Sequence, residues 1–203
     1  MRITIIGAGN VGRALAAGWR KSHDVSFALR AGSAKSAEVA GEGFRVVALN
    51  QAASADLIVL AVPWMAVSDA LQAAGSLSGK IVIDATNPLT PGLELALGPT
   101  DSGGETVARL APGARLVKAF NTTGAENMSK AHAFAVKPMM PMASDDAEAK
   151  AIVAKLAEEL GFEAIDAGAL TAARQLELLA LLWIKLAYAQ KLGRSFAFSL
   201  VRR

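Results

Sequence analysis

The sequence predicts an α/β fold: a doubly wound parallel sheet followed by a C-terminal apolar helical element. Three observations carry this. Short apolar runs recur along the chain, separated by helix-like or polar segments, as in strands covered on both faces. The first run ends in Gly7, Gly9 and Gly12, and an Ala/Leu-rich stretch follows at once. With 203 residues, 53% of them apolar and 19% charged, the chain has material for one full core and is too short for two large domains. The expected organisation is a single domain, 1–203, in which residues 171–203 form a C-terminal helix and tail.

Residues 3–12 read Ile-Thr-Ile-Ile-Gly-Ala-Gly-Asn-Val-Gly, a first strand running into G-x-G-x-x-G. In a Rossmann-type sheet, Gly7 allows the tight turn out of the strand. Gly9 lets the backbone approach a diphosphate, and Gly12 lets the next helix pack close to the sheet. That helix, expected over residues 10–21, aims unpaired N–H groups and its positive dipole end at the phosphates. Gly7, Gly9, Asn10, Val11 and Gly12 are the candidate diphosphate-binding residues.

The second strand, residues 25–29, decides which dinucleotide. A site for NAD usually carries Asp or Glu about twenty residues past the glycines. Here Arg30 stands eighteen positions after Gly12, followed by Ser33, Lys35 and Ser36. Arg30 suits adenine stacking or a 2′-phosphate, and Ser33 and Lys35 add donors, so NADP(H) is favoured.

Further strands are expected at residues 44–47, 57–62, 81–84 and 115–120. Beyond them come a strand over 138–143, a helix over 145–160 stopped by Gly161, and a short strand over 162–166. Residues 86–104 form the one long irregular stretch, and loops of that size are often functional. Residues 171–192 are strongly apolar, but Arg174, Glu177, Lys185 and Lys191 interrupt them and the run is too short to span a bilayer. A buried helix and a dimer seam both fit.

Composition removes several function classes. With no cysteine there is no disulfide, thiolate nucleophile or Cys-based zinc site. The two histidines, His23 and His132, lie far apart without metal-ligand spacing, and His23 reads as a surface residue. The net charge of +3 is dispersed among acids, with no basic stripe, so nucleic acid is not an expected partner. The chain opens directly in a strand with no leader pattern, and a cytoplasmic protein without a membrane partner is expected.

Several segments converge at the C-terminal ends of predicted strands, where open α/β sheets bind ligands. Val62 and Pro63 lead to Trp64, placed at the cofactor edge or as a core anchor. Asn87 and Asn121 suit a nicotinamide carboxamide, a ribose hydroxyl or simple loop capping. Lys118, flanked by apolar Val117 and Ala119, reads as pointing to solvent at a strand edge.

The Gly-Ala-Gly-Asn-Val-Gly loop, Val62-Pro63-Trp64, Lys118-Ala119-Phe120-Asn121-Thr122, and Asp166-Ala167-Gly168 with Leu170 and Ala173-Arg174 resemble the NADPH-dependent coenzyme F420 reductase family. The cytosolic reductase domain of the STEAP metalloreductases is a similar relative. The resemblance implies hydride transfer between NADP(H) and a flavin-like acceptor, coenzyme F420 or FMN/FAD, as small-molecule redox substrate. It implies that Arg30, Ser33 and Lys35 read the 2′-phosphate, and that Val62 and Pro63 flank the ribose and nicotinamide. Asn121, Thr122 and Thr123 would face the acceptor, with no certain catalytic residue. Residues 171–203 would complete the acceptor site or a homodimer interface. The chain departs from archaeal deazaflavin reductases at Asn121, Thr122 and Thr123, which leaves the acceptor open. A non-catalytic NADP(H)-binding sensor or regulatory module is the alternative.

Overall fold

The computed structural model describes residues 1–203. Six strands, β1 (Arg2–Ile6), β2 (Asp24–Leu29), β3 (Arg45–Ala48), β4 (Leu57–Leu60), β5 (Ile81–Asp84) and β6 (Arg115–Lys118), form a parallel sheet in the order β3-β2-β1-β4-β5-β6. The order reverses between β1 and β4, and such a switch point opens a crevice at the C-terminal strand ends.

Strand alternation divides the apolar residues between two cores. Ile3 and Ile5 of β1, Leu57 and Val59 of β4 and Ile81 and Ile83 of β5 face one side. They pack there with α1 (Asn10–Trp19), α2 (Lys35–Gly41), α5 (Ala125–Met128) and α6 (Ala147–Glu159) through Trp19, Val39, Met128, Val153 and Leu156. Ile6, Ile58, Leu60 and Val82 face the other, against α3 (Val67–Ala74) and α4 (Gly103–Leu110) through Leu71 and Val107. Because both faces are covered, these strands read as continuous apolar runs. One polar pair interrupts them: Thr4 and Ser26 satisfy each other across β1 and β2, hydroxyl to hydroxyl at 2.9 Å.

The fold class is as the sequence predicts, with differences at element ends. The first helix stops at Trp19, two residues short of the expected Lys21. The expected strands through residues 62 and 120 end at Leu60 and Lys118, where Val62 and Phe120 have already turned away. The last two strands, β7 (Met139–Met142) and β8 (Glu163–Asp166), do not continue the parallel sheet. They pair parallel with each other and meet β6 antiparallel where Lys118 and Ala143 exchange backbone bonds of 2.9 and 3.1 Å. The helix α6 that joins them is N-capped by Asp146, whose side chain accepts from the Ala149 N–H. A two-pronged Arg115 contact, 2.6 and 3.0 Å, holds the Asp146 carboxyl well below the usual carboxylate range.

His23 is not a free surface residue. Its side chain is 11% exposed and its Nε2 lies 2.7 Å from Glu159 Oε2. Near the C-terminus, α7 (Ala173–Ile184) runs into a π-helical turn (Lys185–Ala189), so the helix expected over residues 171–192 widens before it ends. The tail then folds back: Met139 N–H donates to Phe198 O at 2.8 Å. No helix is long and apolar enough to cross a membrane.

Candidate functional site

The glycine loop lies at the switch point, and its three glycines answer different demands. Gly7 has φ +108°, and a Cβ there would stand 2.4 Å from Ala61 O. A Cβ on Gly12 would stand 2.2 Å from Gly7 O. Both glycines are required by the turn and by helix packing. Gly9 has an ordinary extended backbone, and a Cβ there would meet nothing within 4 Å. Space is kept open outside Gly9, directly over the N-terminus of α1, which no side chain caps.

Two cavities flank that helix end. The first, about 440 Å³, is lined by Gly7, Gly9, Arg30, Ser33 and Lys35 together with Val62 and Pro63. The second, about 430 Å³, is lined by Asn10, Val11, Asn87, Asn121 and Thr123, and by residues from the C-terminal segment. The predicted site residues therefore come together in two groups, on either side of the α1 N-terminus. Three stand apart. Gly12 is buried in helix packing, Thr122 is buried outside both cavities, and Trp64 packs against the second core, close to Gly103, rather than at the cofactor edge. Arg30 sits at the rim, its Nη2 3.3 Å from Asp69 Oδ2 and its side chain 58% exposed.

Lys118 overturns its sequence reading. It is fully buried, its Nζ 2.9 Å from Asp84 Oδ2, 3.0 Å from Glu177 Oε1 and 2.6 Å from Thr86 O. Asp84 accepts in turn from the Thr86 N–H and hydroxyl. Glu177, on α7, accepts from the first two N–H groups of α4, at Gly103 and Gly104. One ammonium thus joins the ends of β5 and β6 to α7, and Glu177 joins α7 to α4. Arg174 adds a second tie, forking onto Glu105 at 2.8 and 2.6 Å and holding that carboxyl below its usual range.

After Lys118 the chain turns sharply. Phe120 is buried with φ +59°, a conformation costing on the order of 1–3 kcal/mol for a non-glycine residue, and its N–H reaches Met140 Sδ at 3.1 Å. The turn delivers Asn121 to the cavity. Asn87 Nδ2 donates to Asn121 O at 2.9 Å, while Asn121 Nδ2 donates to Asn87 Oδ1 at 3.1 Å and to Leu176 O at 3.2 Å. Asn121 Oδ1 has no partner, the single buried side-chain polar atom left so. An unsatisfied buried acceptor costs about 1–3 kcal/mol. Thr123 offers less, since its hydroxyl already accepts from Asn127 Nδ2 at 3.0 Å.

The C-terminal segment supplies the outer wall of the second cavity through Trp183, Ile184, Tyr188 and Arg194. The Trp183 ring stacks on Phe196, centroids 5.1 Å apart, and its Nε1 donates to Phe196 O at 2.9 Å. Arg194 pairs with Glu126 at 2.7 Å across the mouth. The sequence reading expected residues 171–203 at the acceptor site or a dimer interface but named none of these four side chains, and it missed the Lys118 cluster. The available signal was the isolated charges Asp84, Lys118 and Glu177 inside otherwise apolar elements. No group of His, Cys, Asp and Glu is arranged to hold a metal.

Comparison with known proteins places this geometry in a family. The family model described as NADP oxidoreductase, coenzyme F420-dependent, matches residues 2–88. A candidate F420-dependent NADP reductase from Arthrobacter sp. FB24 superposes with a TM-score of 0.88 at 32% identity, covering 98% of this chain and 99% of that one. The chain belongs to the coenzyme F420-dependent NADP oxidoreductase family. A hypothetical protein from Sinorhizobium meliloti is similar at 31% identity, with a TM-score of 0.74 over 85% of this chain and 87% of its own. The metalloreductase STEAP3 of Rattus norvegicus is 29% identical over 184 residues, 89% of this chain but 36% of the relative, so this chain spans about a third of that protein's length. As an F420-oxidoreductase-family chain it carries an NADP-binding domain, and the open space over Gly9 is the structural feature that fits that nucleotide.

Proposed function

We propose that this protein transfers a hydride between NADP(H) and a flavin-type acceptor, coenzyme F420 or FMN/FAD, held in the second cavity. The observation that carries the reading is the pair of cavities meeting at the uncapped α1 N-terminus. A dinucleotide laid across that helix end puts its diphosphate on the free N–H groups and one end in each cavity. Arg30, Ser33 and Lys35 then hold the 2′-phosphate in the first. Val62 and Pro63 guide the chain of the ligand past β4, and Asn87 and Asn121 meet its nicotinamide end. When bound, NADPH supplies the hydride from its nicotinamide C4.

The residues of this chain contribute alignment and exclusion of water. Trp183 and Ile184 give the acceptor a flat apolar wall, Val11 closes the inner side, and the Arg194–Glu126 pair closes the mouth. Residues 171–203 complete the acceptor cavity of the single domain, and the exposed Leu178 and Leu182 of α7 supply a homodimer contact in the same reading.

Substitutions on the two cavities test it. Arg30→Ala weakens NADPH by about 1.5–3 kcal/mol, the value of a lost charge-assisted bond, and leaves NADH nearly unchanged. Trp183→Ala raises the KM for the acceptor and leaves the NADPH Kd alone. Equal losses for NADPH and NADH in the first variant, or a weakened NADPH Kd in the second, contradict the two-cavity assignment.

A further inference from the structure

We infer that Asn121 Oδ1 accepts a hydrogen bond from the carboxamide NH2 of the bound nicotinamide, which makes Asn121 the residue that selects a nicotinamide carboxamide over other pyridine substituents. The inference rests on the proposed placement of the nucleotide and goes beyond it by fixing one contact and its direction.

The direction follows from the surrounding bonds. Asn87 is oriented because its Nδ2 donates to Asn121 O at 2.9 Å, which turns Asn87 Oδ1 toward the Asn121 side chain. Asn121 Nδ2 then lies between two acceptors, Asn87 Oδ1 at 3.1 Å and Leu176 O at 3.2 Å. Flipping the Asn121 amide would set its oxygen against both of them, so the flip is closed. What Asn121 offers is therefore an acceptor only, and a ligand must bring a donor to it. That oxygen is the single buried side-chain polar atom without a partner in the protein. Buried polar groups are ordinarily satisfied, so an orphan on a residue that lines a cavity points to a ligand atom.

The depth of Asn121 points to the nicotinamide rather than to the acceptor. Asn121 is 4% exposed and lines the cavity together with Asn10 and Val11, the first two residues of α1. The acceptor enters from the mouth, beside Tyr188 and Arg194, which are about half exposed. A nucleotide whose diphosphate sits on the α1 N-terminus enters the cavity on that side, where Asn121 lies. Its carboxamide carries the only N–H donors at that end of the molecule, two on one nitrogen.

Equilibrium binding of oxidised nucleotides to the intact protein tests this without turnover. The 3-acetylpyridine analogue of NADP+ keeps the carbonyl and loses the NH2, whereas the thionicotinamide analogue keeps the NH2 and changes the carbonyl. The wild-type protein should bind the acetylpyridine analogue about tenfold more weakly than NADP+, the effect of one hydrogen bond lost to a buried acceptor, and the thionicotinamide analogue within about twofold. In Asn121→Ala the difference between NADP+ and the acetylpyridine analogue should vanish. Tight NADP+ binding with equal affinity for the acetylpyridine analogue overturns the inference, as does equal weakening by both analogues. These wild-type comparisons decide the matter even if the alanine variant does not fold. Failure of all three nucleotides to bind would instead remove the underlying placement of NADP(H).

Discussion

Gly9 and Gly12 are indistinguishable as letters and differ in what they answer to. Gly12 is confined by Gly7 O, 2.2 Å from where its Cβ would stand, and Gly9 by nothing in the protein. Gly12→Ala should therefore cost about 2–3 kcal/mol of stability through overpacking. Gly9→Val should leave stability within about 0.5 kcal/mol of wild type while weakening NADP(H) by about a hundredfold or more. Denaturant unfolding and nucleotide titration on both variants check this, and a Gly9→Val protein that unfolds early or binds normally contradicts it. At this scale the glycine loop and the Arg30, Ser33 and Lys35 group were legible in the sequence, because spacing after a strand determines where they lie. Lys118 was not. Alternation along a strand assigns a residue to a face, but both faces of β6 are covered, so no face was available to solvent.

Between elements, Lys118 and Glu177 are what dock the C-terminal helix. Lys118 compensates Asp84 from β5 and Glu177 from α7, all three at 2% exposure or less. Lys118→Met would leave two buried carboxylates facing each other without a cation, and breaking a buried pair in this way costs about 3–5 kcal/mol. The measurement is the shift in free energy of unfolding, and a loss below about 1 kcal/mol would show that the cluster relaxes or hydrates instead. The apolar character of residues 171–192 announced a helix needing cover. What the sequence could not give was its partner, since the contacts to Gly103, Gly104 and Lys118 join residues more than fifty positions apart. The orientation of β7 and β8 was hidden for the same reason: their strand pattern is local, whereas the antiparallel junction at Lys118 and Ala143 depends on how the chain returns to the sheet edge.

For the whole molecule, the sheet sets a switch point, the glycine loop puts a bare helix end there, and the C-terminal segment folds back to make one open surface into a second cavity. In the proposed reading, that arrangement brings a nicotinamide and a flavin-type ring together for hydride transfer, a reaction that asks the protein chiefly for alignment. The direct measurement is NADPH oxidation by the purified protein, followed optically, with coenzyme F420, FMN, FAD and a ferric chelate plus flavin offered side by side. Turnover with F420, or with FMN or FAD, is the predicted result, and the acceptor that supports it identifies the physiological class. Tight NADPH binding with no oxidation by any of them would contradict the account and leave a protein that senses the nucleotide without reacting it.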